Sequence, residues 1–151
     1  MNTLISELKD ELLHFLNTAD RQEIHHPEKN ILFSCLLFPI LQKKIQEEYL
    51  DQEIYPHLGE IFTLTRDLIR DVLVVPFPRF PRWMRETIAF ILNAQFRFTP
   101  LDPKRKMRKF KILGHKKFPL AMRFLALRAC MDDDSAKEYA RIKRISKNKQ
   151  K

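Results

Sequence analysis

Residues 27–53 read PEKNILFSCLLFPILQKKIQEEYLDQE, and this stretch decides the fold. Its first half is apolar nearly all round, at Ile31, Leu32, Phe33, Leu36, Leu37 and Phe38. A helix of that kind belongs in the middle of a protein, because no face of it suits water. Pro39 removes a backbone donor and is expected to kink it. The apolar run Ile31–Leu41 falls short of the ~20 residues that a membrane span needs.

Working outward, Leu4, Leu8, Leu12 and Leu16 repeat every fourth residue, so residues 3–17 form an amphipathic helix. Residues 17–26 have no apolar period, and Pro27 disfavours helix at His26. Downstream, Pro56 suits the first position of a helix ending near Val74. Its stripe is Leu58, Ile61, Phe62, Leu64, Leu68, Ile69, Val72 and Leu73. Pro76, Pro78 and Pro81 then predict an extended connector, followed by a helix over residues 82–96 with Met84, Ile88, Ile91, Leu92 and Gln95 inward. Asp102-Pro103 starts another helix over 104–113, which Gly114 closes in the left-handed region. From Pro119, Leu120, Phe124, Leu127 and Met131 trace one more stripe, and Asp132-Asp133-Asp134-Ser135 caps a last helix over 136–145. No segment alternates with period two. The expectation is an all-α irregular bundle of about six to seven helices, several opened by proline: one domain over residues 1–145, with 146–151 a basic disordered tail.

The chain has 151 residues and a formal net charge of +9. That sum conceals two opposite halves. Residues 1–78 carry 7 Lys/Arg against 13 Asp/Glu, a net −6, and residues 79–151 carry 21 against 6, a net +15. A strongly basic half suits a polyanion. Two glycines, Gly59 and Gly114, are too few for a dinucleotide-binding or P-loop turn. Cys35 and Cys130 are too few for a disulfide framework, which suggests a reducing, cytoplasmic setting. No secretory signal is expected, since Glu7, Lys9, Asp10 and Glu11 interrupt the first apolar stretch.

Chemistry has few candidates. Glu47-Glu48 reads as a solvated helix face, and Asp132–Asp134 as a cap rather than a metal site. His25-His26 lacks a following Asp and reads as a solvent-facing loop, Cys35 as an inert core thiol. The basic stretch is stronger: Lys104 to Lys117 holds eight Lys/Arg and no acid, interleaved with Met107, Phe110, Ile112 and Leu113. It buries that stripe and turns Lys104, Arg105, Arg108, Lys109 and Lys111 outward, with Lys116 and Lys117 beyond. Such charge binds phosphate backbones by counterion release. Arg79, Arg82, Arg85 and Arg97 add forked phosphate contacts, and Phe80, Phe96 and Phe98, flanked by arginine, are stacking candidates whose alternative is core packing. A membrane-surface role is disfavoured because the basic helix lacks a large exposed apolar face.

Several segments in series resemble the C-terminal region of bacterial poly(A) polymerase I, in the nucleotidyltransferase superfamily that includes the CCA-adding enzymes. They are Asn17–Arg21, the proline-interrupted 31–41, PFPRF at 76–80, Arg85 followed by ILNAQFRF at 91–98, and HKKFPLAMRFLALRA at 115–129. The similarity spans roughly residues 12–130. It implies a helical region that holds RNA while a separate head adenylates the 3′ end. It also adds Arg128 to Arg79, Arg85 and Arg97 as RNA-contact candidates. The family's catalysis needs a glycine-serine phosphate turn and paired aspartates on rigid strands holding two Mg²⁺. This chain shows neither the strands nor that combination, so it is expected to be inactive alone, with ATP and Mg²⁺ belonging to the head. The competing reading is a helical protein-interaction module whose acidic front docks such a head.

Overall fold

The computed structural model describes residues 27–102 and 113–149. These residues are mostly helical, with no strand among them: α1 (Pro27–Glu48), α2 (Leu58–Ile69), α3 (Arg82–Phe98), α4 (Phe118–Ala129) and α5 (Asp133–Lys149). The count among them is five rather than six or seven. The helices expected at 3–17 and 104–113 lie outside the described residues. A 3₁₀ turn, Leu50–Gln52, follows α1, and a π turn, Arg70–Val74, extends α2.

Local chemistry moves several expected boundaries. Pro56 does not open α2. The cap is His57, in extended geometry, whose N–H donates to Glu60 Oε1 at 3.2 Å, so the third residue of the helix satisfies a free amide at its start. The proline connector is not extended either. Phe80 N–H donates to Phe77 O at 2.9 Å, folding the chain back so that the Phe80 ring meets Phe33 edge-on at 5.4 Å. Burying that ring outweighs the extended preference of the prolines. Gly114 is not left-handed. The turn before α4 is instead held by His115, whose O accepts from Phe118 N–H at 2.9 Å, whose Nδ1 accepts from Lys117 N–H at 3.1 Å, and whose ring stacks on Phe90 at 4.2 Å. The tail is corrected as well: α5 runs on through Lys149, since nothing between Ile145 and Lys149 breaks a helix and lysines suit a helix C-terminus.

The centre is α3 rather than α1. It packs against all four other helices, whereas α1 meets α2, α3 and α4. Its Met84, Ile88, Ile91, Leu92 and Phe96 join Phe33, Leu37, Leu41, Ile45, Leu68 and Leu73 in the larger core. Its Ala94 and Phe98, on the opposite side, join Phe118, Ala121, Leu125 and Ile142 in a second. The C-terminal half of α3 is thus buried on two sides, with Phe90, Asn93 and Arg97 half-buried between them. α1 keeps an exposed flank at Pro39, Gln42 and Lys43. Buried Ser34, Thr65 and Thr87 return their hydroxyls to the carbonyl four residues back, which satisfies them inside the core.

Asp132 caps α5 twice, accepting from Ser135 N–H at 2.7 Å and Ser135 Oγ at 2.9 Å. The Ser135 amide, with help from its hydroxyl and from Arg128, holds the Asp132 carboxyl below its ordinary value. A carboxyl depressed in the folded state adds stability above its unfolded pKa and loses it as pH falls through the folded value. Asp132→Ala should therefore cost about 1 kcal/mol at pH 7 in urea unfolding. The gap from the unsubstituted protein should begin to narrow below about pH 4 and go on narrowing as pH falls further; a constant gap down to about pH 2 contradicts the capping role.

Candidate nucleic-acid interface

The arginines chosen from sequence have different surroundings. Arg128, on α4, is turned inward. Its Nη1 donates to Gln95 Oε1 at 3.0 Å and its Nη2 to Thr99 Oγ1 at 2.8 Å, while the guanidinium lies 4.9 Å from the centre of the Phe38 ring. Burial lowers its pKa, partly countered by Asp132; a guanidinium nonetheless stays charged. This fork joins α4 to α3 and α1, so its chemistry here is structural.

Arg82 and Arg85, on α3, come together with two arginines that the sequence reading passed over. Arg66 on α2 and Arg70 on the π turn face them across a cleft of about 410 Å³. Both sit in the acidic half, each directly followed by an aspartate, which masks them in the sequence. Their four-residue spacing on one helix face was the available signal. Three of the four are exposed and meet carboxylates: Arg66 reaches Asp67 at 3.7 Å, Arg70 reaches Asp67 at 3.3 Å and Asp71 at 3.1 Å, and Arg82 reaches Glu86 at 3.0 Å. Arg85 differs. It is half-buried, it forms no ion pair among the described residues, and its Nε is buried with no hydrogen-bond partner.

The remaining candidates are scattered. Arg79 and Lys116 are exposed, while Arg97 and Lys117 are half-buried. Lys104, Arg105, Arg108, Lys109 and Lys111 lie outside the described residues. Phe80, Phe96 and Phe98 are core residues, 5%, 4% and 0% exposed, and cannot stack on a base. The exposed aromatic of this region is instead Trp83, at 39%. A further set was missed: Lys137, Arg141, Lys143, Arg144 and Lys147 are exposed along α5. In the sequence they are spaced out among acids and apolar residues, unlike the denser run at 104–117.

Other chemistry is sparse. Burial raises the Cys35 thiol pKa, and Cys130 Sγ donates weakly to Ala126 O at 3.5 Å. Among the described residues, no group of three or more His, Cys, Asp or Glu is arranged to hold a metal, and no helix is long and apolar enough to cross a membrane. Comparisons with known protein families, curated proteins and solved structures found no match to this chain.

Removing Arg128 strands the buried Gln95 oxygen, so Arg128→Met should destabilise the protein by about 2 kcal/mol. Adding Gln95→Leu should recover part of that loss, because the Gln95 oxygen is then no longer left buried without a donor, although the bond from Gln95 to Ala121 O is given up as well. Urea unfolding of the two variants measures it. A neutral Arg128→Met variant removes the structural role.

Proposed function

We propose that this chain is an RNA-binding helical domain of a poly(A) polymerase-like nucleotidyltransferase, a cytoplasmic protein holding RNA for 3′-end adenylation by a catalytic head outside this chain. The observation that carries the reading is the basic half, net +15 over residues 79–151, in which exposed Arg79, Lys116, Lys137, Arg144 and Lys147 form no ion pair among the described residues. Unneutralised surface cations bind polyphosphate chains through counterion release, with little regard to sequence. The motif series at 76–80, 91–98 and 115–129 supports the choice of RNA and of this enzyme class. On this reading the domain contributes RNA affinity, and ATP and Mg²⁺ act at the head.

The alternative, a module that docks a head or another protein, is favoured by one feature of the acidic half: Ile54 and Tyr55 are each 49% exposed and Val75 67%. Exposed large apolar side chains of this kind suit a partner surface. A stable complex with a separately expressed head in a pull-down favours that reading; the RNA reading expects none.

Titration of labelled single-stranded RNA at several salt concentrations should give an affinity that falls steeply with salt. Reversing charge at Lys104, Arg105, Arg108 and Lys109 should flatten the slope by roughly 0.7 per lost phosphate contact. A flat salt response, or no binding at low salt, contradicts the proposal. Incubation with ATP, Mg²⁺ and an RNA primer should yield no extension by this chain alone.

A further inference from the structure

The cleft between α2 and α3 is built by an unusual backbone. In an α-helix, four residues overshoot one full turn by about 40°, so Arg66 and Arg70 are staggered around α2. From Arg70 the helix widens: Val75 N–H donates to Arg70 O at 2.8 Å, five residues back. In this wider turn a four-residue step falls short of a full turn, reversing the stagger and bringing Val74 back under Arg66. One stripe of α2 and its π extension therefore presents Arg66, Arg70 and Val74 to the same cleft. π turns are rare and occur often at functional sites.

Across the cleft, α3 supplies Arg82 and Arg85, four positions being cationic against the single acid Glu86. Between them the wall is apolar, at Ile69, Val74 and Ala89. The volume of about 410 Å³ lies in the range of small-ligand sites. Guanidinium forks match phosphate oxygens in pairs, and a half-buried arginine has already lost much of its side-chain freedom. Arg85 has its Nε enclosed and its side chain half-buried, so the stem is held in place and only the terminal nitrogens of the fork are left to meet a ligand. The carboxylates that meet Arg66, Arg70 and Arg82 do so on the exposed surface, where ion pairs are weak and easily exchanged for a better anion.

We propose that this cleft binds the phosphate monoester of a nucleotide, anchored by Arg85 and completed by Arg66, Arg70 and Arg82, with the nucleoside against Ile69, Val74 and Ala89. The phosphate follows from the arginines; taking its carrier to be a nucleotide rests on the RNA reading above. A monoester, with two negative charges, suits four converging arginines better than a singly charged internal phosphodiester. The carrier is either a free nucleotide or the phosphorylated end of an RNA strand. Glu86 works against the ligand and limits its affinity.

Calorimetric titration of the full chain with adenosine 5′-monophosphate, inorganic phosphate and adenosine tests this. Adenosine monophosphate should bind tightest of the three. Arg85→Met and Arg70→Gln should each weaken it at least tenfold, and Glu86→Gln should tighten it. Circular dichroism checks that each variant is folded; if Arg85→Met is not, the exposed Arg70 and Glu86 positions carry the test. A strand with a 5′ phosphate binding more tightly than its 5′-hydroxyl counterpart identifies RNA as the source, and equal binding of the two identifies the free nucleotide. Adenosine monophosphate binding no tighter than adenosine, or unchanged in the folded variants, overturns the proposal. Steeply salt-dependent RNA binding together with either of those results removes the cleft and leaves the RNA reading standing. Arginine-dependent nucleotide binding without RNA binding does the reverse.

Discussion

The buried amide of Gln95 is the point on which the bundle depends. Its Nε2 donates to Ile91 O at 2.9 Å and to Ala121 O at 3.2 Å, and its Oε1 accepts from Arg128 at 3.0 Å. Gln95 is fully buried, so each of these bonds replaces one that water would otherwise make. Because the partners lie on two helices, the amide is satisfied only when α3 and α4 sit in a single register. Arg128 extends the constraint to Thr99 and across the Phe38 ring of α1. Apolar packing alone tolerates small slides between helices; a saturated polar network does not.

That constraint also sorts the arginines by use. Arg128 reaches inward, its fork held by neutral acceptors and its charge eased by the Phe38 ring and by Asp132. On the other side of α3, Arg85 has a buried Nε and no acceptor, and it shares a cleft with three arginines whose carboxylate partners are on the surface. The same side-chain type thus braces the core at one end of α3 and lines an open cationic cleft at the other. Outward charge on α5 adds a second basic surface, carried by a helix whose burial rests on Ser135 and Ile142.

Much of the helical architecture was legible because it follows from nearest-neighbour patterning. The stripe through Leu58, Ile61, Leu68, Ile69 and Leu73 describes α2 and its extension, and Asp132 caps α5 as its position before Ser135 suggests. Errors arose where a distant contact outvoted a local preference. Three prolines argue for an extended connector, yet the cavity that receives Phe80 lies beside Phe33, far away in sequence. Gly114 permits a left-handed cap, but His115 stacking on Phe90 supplies a different turn. The apolar girth of α1 suggested the central position, which α3 takes because two separate cores meet on it.

Sequence by itself determined the helical class of the described residues, the positions of most helices and the opposition of an acidic front and a basic back. These depend on spacing, on backbone preferences and on charge, all additive along the chain. Tertiary structure alone decided which arginines turn inward and which line the surface, that Phe80, Phe96 and Phe98 are core, and that Arg66 and Arg70 of the acidic half join Arg82 and Arg85. Each of those depends on what lies across a helix interface, and one turn of unusual width, at Arg70–Val74, sets which side chains meet there.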